Sequence, residues 1–203
     1  MIECIRRLFS PRHPPTLDRL KKQWLEVCEA EQLSISKRLN LLIDSDSIVQ
    51  KNVKEALVRD DYQTAKDLAE ELIQSRRHTA IVDKAAAAIA NLIFALRCSE
   101  EEEERNDNTS DSDDIAPIGH VATIIGSIHE LIVIKEFHEF AAMLKDQMEA
   151  AGFISRNIKN HNKYVPPSTP RQQIIDKQVK DLLEMLLEAI AQETQDGFEL
   201  VSL

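Results

Sequence analysis

LAEELIQSRRHTAIVDKAAAAIANLIFAL, residues 68–96, has the most regular apolar repeat in this chain. Apolar or small residues recur there at steps that alternate between four and three: Leu68, Leu72, Ser75, Thr79, Val82, Ala86, Ile89, Ile93 and Leu96. This spacing is a heptad seam and places these side chains on one face of a helix. Because the seam residues are small in the middle, we expect a second helix to approach closely there.

The preceding residues predict that second helix. Apolar side chains between Leu17 and Leu57 recur at helical spacing, with polar interruptions at Glu31 and Asp46. Residues 59–61, Arg-Asp-Asp, then break the pattern, and aspartate is a good N-cap for a new helix. A long helix, a short turn and another long helix predict an antiparallel helical hairpin over residues 16–97.

The composition favours helices along the whole chain. Of 203 residues only 4 are glycine, aromatic residues make up 4% and charged residues 30%. Few aromatic and few glycine residues are typical of long helices with Leu, Ile, Val and Ala at their interfaces. We therefore expect an all-α fold, with two shorter helices over residues 118–160.

Two segments are predicted to separate the helices. EEEEERNDNTSDSDD, residues 100–114, is too charged to bury apolar surface, which predicts an acidic disordered loop over 98–117. Residues 161–171 contain three prolines and predict a linker, because proline interrupts helices. An amphipathic helix over 172–194 would then be tethered after this linker, and the resemblance described below implies a regulatory role for it.

Charge is distributed unevenly along the chain, whose net charge is −10. The first 25 residues carry 6 Lys+Arg against 2 Asp+Glu, whereas residues 81–203 carry 11 against 22. A basic surface near the start favours an anionic partner, and the acidic remainder could fold back and shield it. The alternative is that these charges are solvated helix faces.

Residues 1–10 predict an amphipathic membrane-binding segment. On a helical wheel the apolar residues lie opposite Glu3 and the arginines. The arginines interrupt the apolar run, which argues against a secretory signal, and the segment is too short to span a bilayer but suits its interface. The predicted membrane-binding residues are Ile2, Ile5, Arg6, Arg7, Leu8, Phe9, Arg19, Lys21 and Lys22. The alternative is that the segment packs against the hairpin, and we expect no membrane-spanning helix elsewhere.

Signatures of enzymes are missing from the sequence. No glycine-rich phosphate loop or GxSxG motif occurs, and Val133 stands where HExxH needs its second histidine. Cys4, Cys28 and Cys98 are scattered, which fits a reducing compartment and argues against a metal site. We therefore expect no catalytic residues, no metal and no cofactor. The acidic charge and low aromatic content argue against binding to nucleic acid.

Three segments resemble the ESCRT-III family: LKKQWLEVCEAEQ (20–32), VKEALVRDDYQTAKDLAEELIQSRRHTAIVDKAAAAIANLIFALR (53–97) and LIVIKEFHEFAAMLKDQMEAAGFI (131–154). With the amphipathic start, the resemblance covers about residues 1–190. It implies a helical hairpin with shorter helices at its open end, in a cytoplasmic protein that acts peripherally on endosomal membranes. It also implies polymerisation with other ESCRT-III subunits for multivesicular body formation, membrane scission and endosomal protein sorting.

The resemblance further implies a role for the C-terminal helix. In the family the MIT domain of an AAA ATPase grips such a helix, and Asp176, Val179, Leu183 and Leu186 match the pattern. Leu182 departs from it, because a basic residue usually stands there, and the helix would then serve the family's autoinhibitory fold-back. The acidic insertion 100–114 is a second departure. The alternative function is a soluble coiled-coil adaptor that holds protein partners without binding lipid.

Overall fold

The computed structural model of the chain describes residues 16–106, 116–155 and 172–200. These residues form helices and no strand, so the predicted all-α class and the long hairpin are confirmed. The elements are α1 (Leu17–Val58), α2 (Tyr62–Asn106), α3 (Ala116–Val133), a 3-10 helix (Lys135–Phe137), α4 (His138–Ala150) and α5 (Gln172–Leu200).

The helices are grouped in two compact units, and shorter helices pack with hairpin residues in each of them. The first unit contains residues 17–32 of α1 and 88–106 of α2, together with α3, the 3-10 helix and α4. The second contains residues 33–58 of α1, 62–87 of α2 and α5. The C-terminal helix therefore has hairpin residues of its own to pack against.

The turn of the hairpin lies where the sequence predicted it. The amides of Asp60 and Asp61 donate to the carbonyl oxygens of Leu57 and Ala56 at 3.1 and 3.0 Å, which closes the end of α1. Asp60 has a φ of 59°, in the left-handed region that aspartate enters more readily than most residues. Asp61 then caps α2, because its Oδ1 accepts a hydrogen bond of 3.2 Å from the amide of Thr64.

This cap should make stability depend on pH. Hydrogen bonds from the Thr64 side chain and amide hold the pKa of Asp61 below its ordinary value of 3.8, because they favour the ionised carboxylate. The folded-state pKa is the lower one, so the stabilisation is complete above the unfolded-state pKa and is lost as the pH falls through the folded-state pKa.

The variant Asp61→Asn tests this pH dependence, since asparagine caps about as well but does not titrate. We expect the difference in urea-unfolding free energy between wild type and variant to be constant at neutral pH. Below the unfolded-state pKa the difference should move in favour of the variant. A difference that stays flat down to the acid limit would show that the cap does not titrate with folding.

The polar interruptions of the two long helices face each other. The hydroxyl of Ser75 donates to Oδ1 of Asp46, and Arg76 donates to Oε1 of Gln50 at 2.9 Å. The helix α1 therefore continues through Asp46 without a break. Paired polar groups within an apolar seam favour one register of the two helices over its alternatives.

The ends of two helices differ from the prediction. The helix α2 runs to Asn106, so residues 98–106 are helical and not the start of a disordered loop. Glutamate has a high helix propensity, and extending a helix already held by packed residues costs little. The helix α5 likewise continues to Leu200, past the predicted end at 194. Residues 107–115 and the predicted linker 161–171 lie outside the described residues.

One part of α2 has the length and composition of a membrane-crossing helix, namely Tyr62–Ser99, which the sequence analysis did not expect. The core helix of a water-soluble protein meets the same criterion. Here the apolar side chains Leu72, Val82, Ile89 and Leu92 of this segment are buried against other helices of the chain. This packing accounts for their apolar character without a bilayer.

Candidate functional site

The helix α5 packs on the hairpin in the second unit. Its buried apolar side chains follow steps of three and four residues, which place them on one helix face. They form a cluster with side chains of α1 and α2: Ile175, Val179, Leu182, Leu183 and Leu186 of α5 with Val53, Ala56, Leu57, Ala65, Ala69, Leu72 and Ile73. We call these seven hairpin residues the α5 groove. Several are alanines, so the backbones of the helices can approach closely.

Polar contacts lie at both ends of this interface. Lys54 Nζ is 2.7 Å from Oε1 of Glu193, and Arg77 donates to Oε1 of Gln178. Exposed ion pairs contribute only about 0–1 kcal/mol. Each apolar side chain that becomes fully buried contributes about 1.5–3 kcal/mol. Apolar burial therefore dominates the binding of α5, and the polar pairs fix its direction and register.

The residues predicted to bind a MIT domain differ in exposure in this packing. Val179, Leu183 and Leu186 are buried in the α5 groove, whereas Asp176 is exposed. Leu182, the departure from the family pattern, is buried in the same cluster. In this conformation the three apolar side chains that would enter another domain are occupied by the hairpin. Ile175 and Leu182 share this apolar face at the same helical spacing, although neither was among the predicted partner residues.

The predicted membrane-binding cations of α1 also differ in exposure. Arg19 and Lys22 are exposed, but Lys21 is only 1% exposed, so it is not a surface contact in this structure. Lysine is almost never fully buried, which is why sequence reasoning grouped Lys21 with its neighbours. The spacing does contain a signal, because Lys21 precedes the buried Trp24 and Cys28 by three and seven residues. The predicted residues Ile2 to Phe9 lie outside the described residues.

Trp24 organises the packing around Lys21 in the first unit. Its indole Nε1 donates to Oε1 of Gln147 in α4 at 3.2 Å. Its ring lies 5.5 Å from the ring of Phe153, centroid to centroid, at an angle of 41°. The same Phe153 ring has the Nζ of Lys21 5.3 Å from its centroid, a cation–π contact. A residue that follows α4 therefore holds both side chains of α1.

The Cys28 thiol and the His138 ring are both held by their surroundings. Burial raises the pKa of the Cys28 thiol to about 12, so the nucleophilic thiolate is scarce at neutral pH. The ring of His138 donates from Nδ1 to the carbonyl oxygen of Ile132 at 2.9 Å, at the end of α3. No group of three or more His, Cys, Asp or Glu in the part of the chain that the structure describes could hold a metal ion.

Comparison of the chain with protein-family models, with curated proteins and with solved structures found no match. Two features of the described residues bear on function: the α5 groove with its occupant, and the buried Lys21 beside the exposed Arg19 and Lys22. Both features are contacts between segments far apart in the chain.

Proposed function

We propose that this chain is an ESCRT-III-type subunit that polymerises on anionic endosomal membranes. There it would help to remodel and cut membrane during multivesicular body formation and endosomal protein sorting. Its partners would be other subunits of this type, in the cytoplasm and peripherally on endosomes. A MIT-domain ATPase could bind α5 only after the helix leaves the hairpin. The packing of α5 in its groove is the observation that carries the proposal.

The packing of α5 covers an apolar surface of the hairpin. Without α5, the groove would present Leu57, Leu72 and Ile73 to water, and a contiguous exposed apolar strip favours association with another protein surface. With α5 in place these side chains are buried, so the covered hairpin favours a monomer. A helix of the same chain can therefore control self-association, as the family resemblance implies for this segment.

The membrane half of the proposal is tested by co-sedimentation with liposomes. Wild type should pellet with phosphatidylcholine vesicles that contain phosphatidylserine, and the double variant Ile5→Asp/Leu8→Asp should not. Each apolar side chain that inserts fully contributes about 1.5–3 kcal/mol, so two aspartates should reduce binding severely. Added salt should weaken wild-type binding, because it screens the attraction between the basic residues and the vesicle.

A matched control separates insertion from general surface apolarity. Leu33 and Leu41 of α1 are 58% and 70% exposed, so Leu33→Asp/Leu41→Asp changes two equally apolar surface residues. This control should pellet like wild type. The alternative, a coiled-coil adaptor that never binds lipid, predicts that wild type stays in the supernatant. Equal pelleting of wild type and Ile5→Asp/Leu8→Asp would also exclude the proposed insertion.

A further inference from the structure

The chain reverses direction immediately after α4. Gly152 has a φ of 72°, in the left-handed region that favours glycine. The amides of Gly152 and Phe153 donate to the carbonyl oxygens of Glu149 and Met148 at 3.1 and 2.9 Å, which closes the helix end. This turn carries Phe153 back onto the first part of α1.

Phe153, which follows this turn, lies against buried side chains of α1, among them Lys21. Ile154 is 3% exposed and Phe153 half-buried, and the Phe153 ring contacts both Lys21 and Trp24. An ammonium group loses hydration when it is buried, and the negative face of an aromatic ring compensates only part of that loss. The docked turn therefore contributes to the burial of Lys21 through the Phe153 ring.

We infer that residues 152–154 form a latch on α1, whose release delivers Lys21, together with the exposed Arg19 and Lys22, to an anionic lipid surface. This inference rests on the membrane function proposed above. The latch is short and follows the end of α4, whose own buried residues are Ala141, Leu144, Lys145 and Met148. A short segment of this kind can open without unfolding the helix before it, since proteins open locally at free energies below that of global unfolding.

Trp24 is the only tryptophan of the chain, so its fluorescence reports the state of the latch directly. In Phe153→Ala we expect a red-shifted emission and stronger quenching by acrylamide than in wild type, with unchanged helical circular dichroism. Phe153→Leu keeps apolar bulk but lacks the aromatic face, and its change should be smaller and in the same direction. Unchanged emission and quenching in both variants would overturn the latch.

Binding to phosphatidylserine-containing vesicles tests what the latch delivers. Phe153→Ala should bind more tightly than wild type, by up to about fivefold, because it does not have to open the latch and one lysine near an anionic surface contributes about that much. Phe153→Ala/Lys21→Gln should lose this gain and bind like Lys21→Gln, and both should bind somewhat more weakly than wild type. Tighter binding that persists in the double variant would overturn the role of Lys21, since it would then come from exposed apolar surface.

The opening of the latch can also be measured in the wild-type chain. When it binds phosphatidylserine vesicles, its Trp24 quenching and emission should change as in Phe153→Ala. Bound wild type with unchanged Trp24 fluorescence overturns the latch and leaves the membrane function standing. If neither wild type nor Phe153→Ala binds these vesicles, the membrane function itself fails.

Discussion

Replacing Leu183 by aspartate should release α5 from the hairpin. Leu183 is only 2% exposed within the α5 groove cluster. Truncation of such a buried leucine to alanine already costs about 2–5 kcal/mol. A carboxylate at the same place would be buried without a partner, which strongly disfavours the docked helix. We expect amide hydrogen exchange over residues 173–193 to become fast while α3 and α4 keep their protection.

The control for this prediction lies one turn further along α5. Leu187 is 45% exposed, so Leu187→Asp makes the same chemical change on the same helix without entering the groove. It should exchange like wild type. If both variants exchange alike, the described packing of α5 is wrong.

The variants Leu183→Asp and Leu187→Asp also test the regulatory part of the proposed function. If α5 covers a surface used for assembly, Leu183→Asp should assemble and pellet with anionic vesicles at lower concentration than wild type or Leu187→Asp. Sedimentation velocity and vesicle co-sedimentation measure the two effects separately. Fast exchange in α5 without any gain in assembly would contradict autoinhibition while leaving the fold description intact.

Replacing Ala85 by leucine should destabilise the hairpin by overpacking. Ala85 is fully buried in the small-residue part of α2, where a larger side chain forces neighbours out of their preferred rotamers. Such changes cost about 1–3 kcal/mol. Urea unfolding followed by circular dichroism gives the difference in free energy.

Ala87 is the matched position, because it lies on the same turn of α2 and is exposed. Alanine and leucine both favour helices, so Ala87→Leu should change the unfolding free energy by less than about 0.5 kcal/mol. Equal effects of the two substitutions would show that the buried alanine at position 85 does not mark a close helix approach.

The heptad seam of α2 predicts some of the buried positions of this helix but not all of them. Val82, Ile89 and Leu96 are buried as predicted, but Ala86 is only half-buried, whereas Ala85 and Ala88 are fully buried. A strict seam describes contact with a single partner helix. The helix α2 also contacts the shorter helices, so its buried face is wider than a two-helix pattern predicts.

Local chemistry was the most predictable part of the molecule. Asp61 caps α2 because its carboxylate reaches the amide of Thr64, only three residues away. The sequence identifies Asp46 as an interruption of the apolar pattern of α1. It does not identify Ser75 as the partner, because that contact depends on how the two long helices lie side by side. A cap is an interaction within one turn, whereas a polar pair depends on the register of two helices.

The proposed sites likewise combine features set by near neighbours in the chain with contacts between distant segments. The sequence alone determined the positions of the long helices, the turn between them and the apolar face of α5, because these follow from interactions between near neighbours in the chain. The tertiary structure decided that Leu182 enters the α5 groove and that Lys21 is covered by Phe153. Periodicity identifies which face of a helix is buried. The residues that cover that face come from distant segments, and only their packing in three dimensions identifies them.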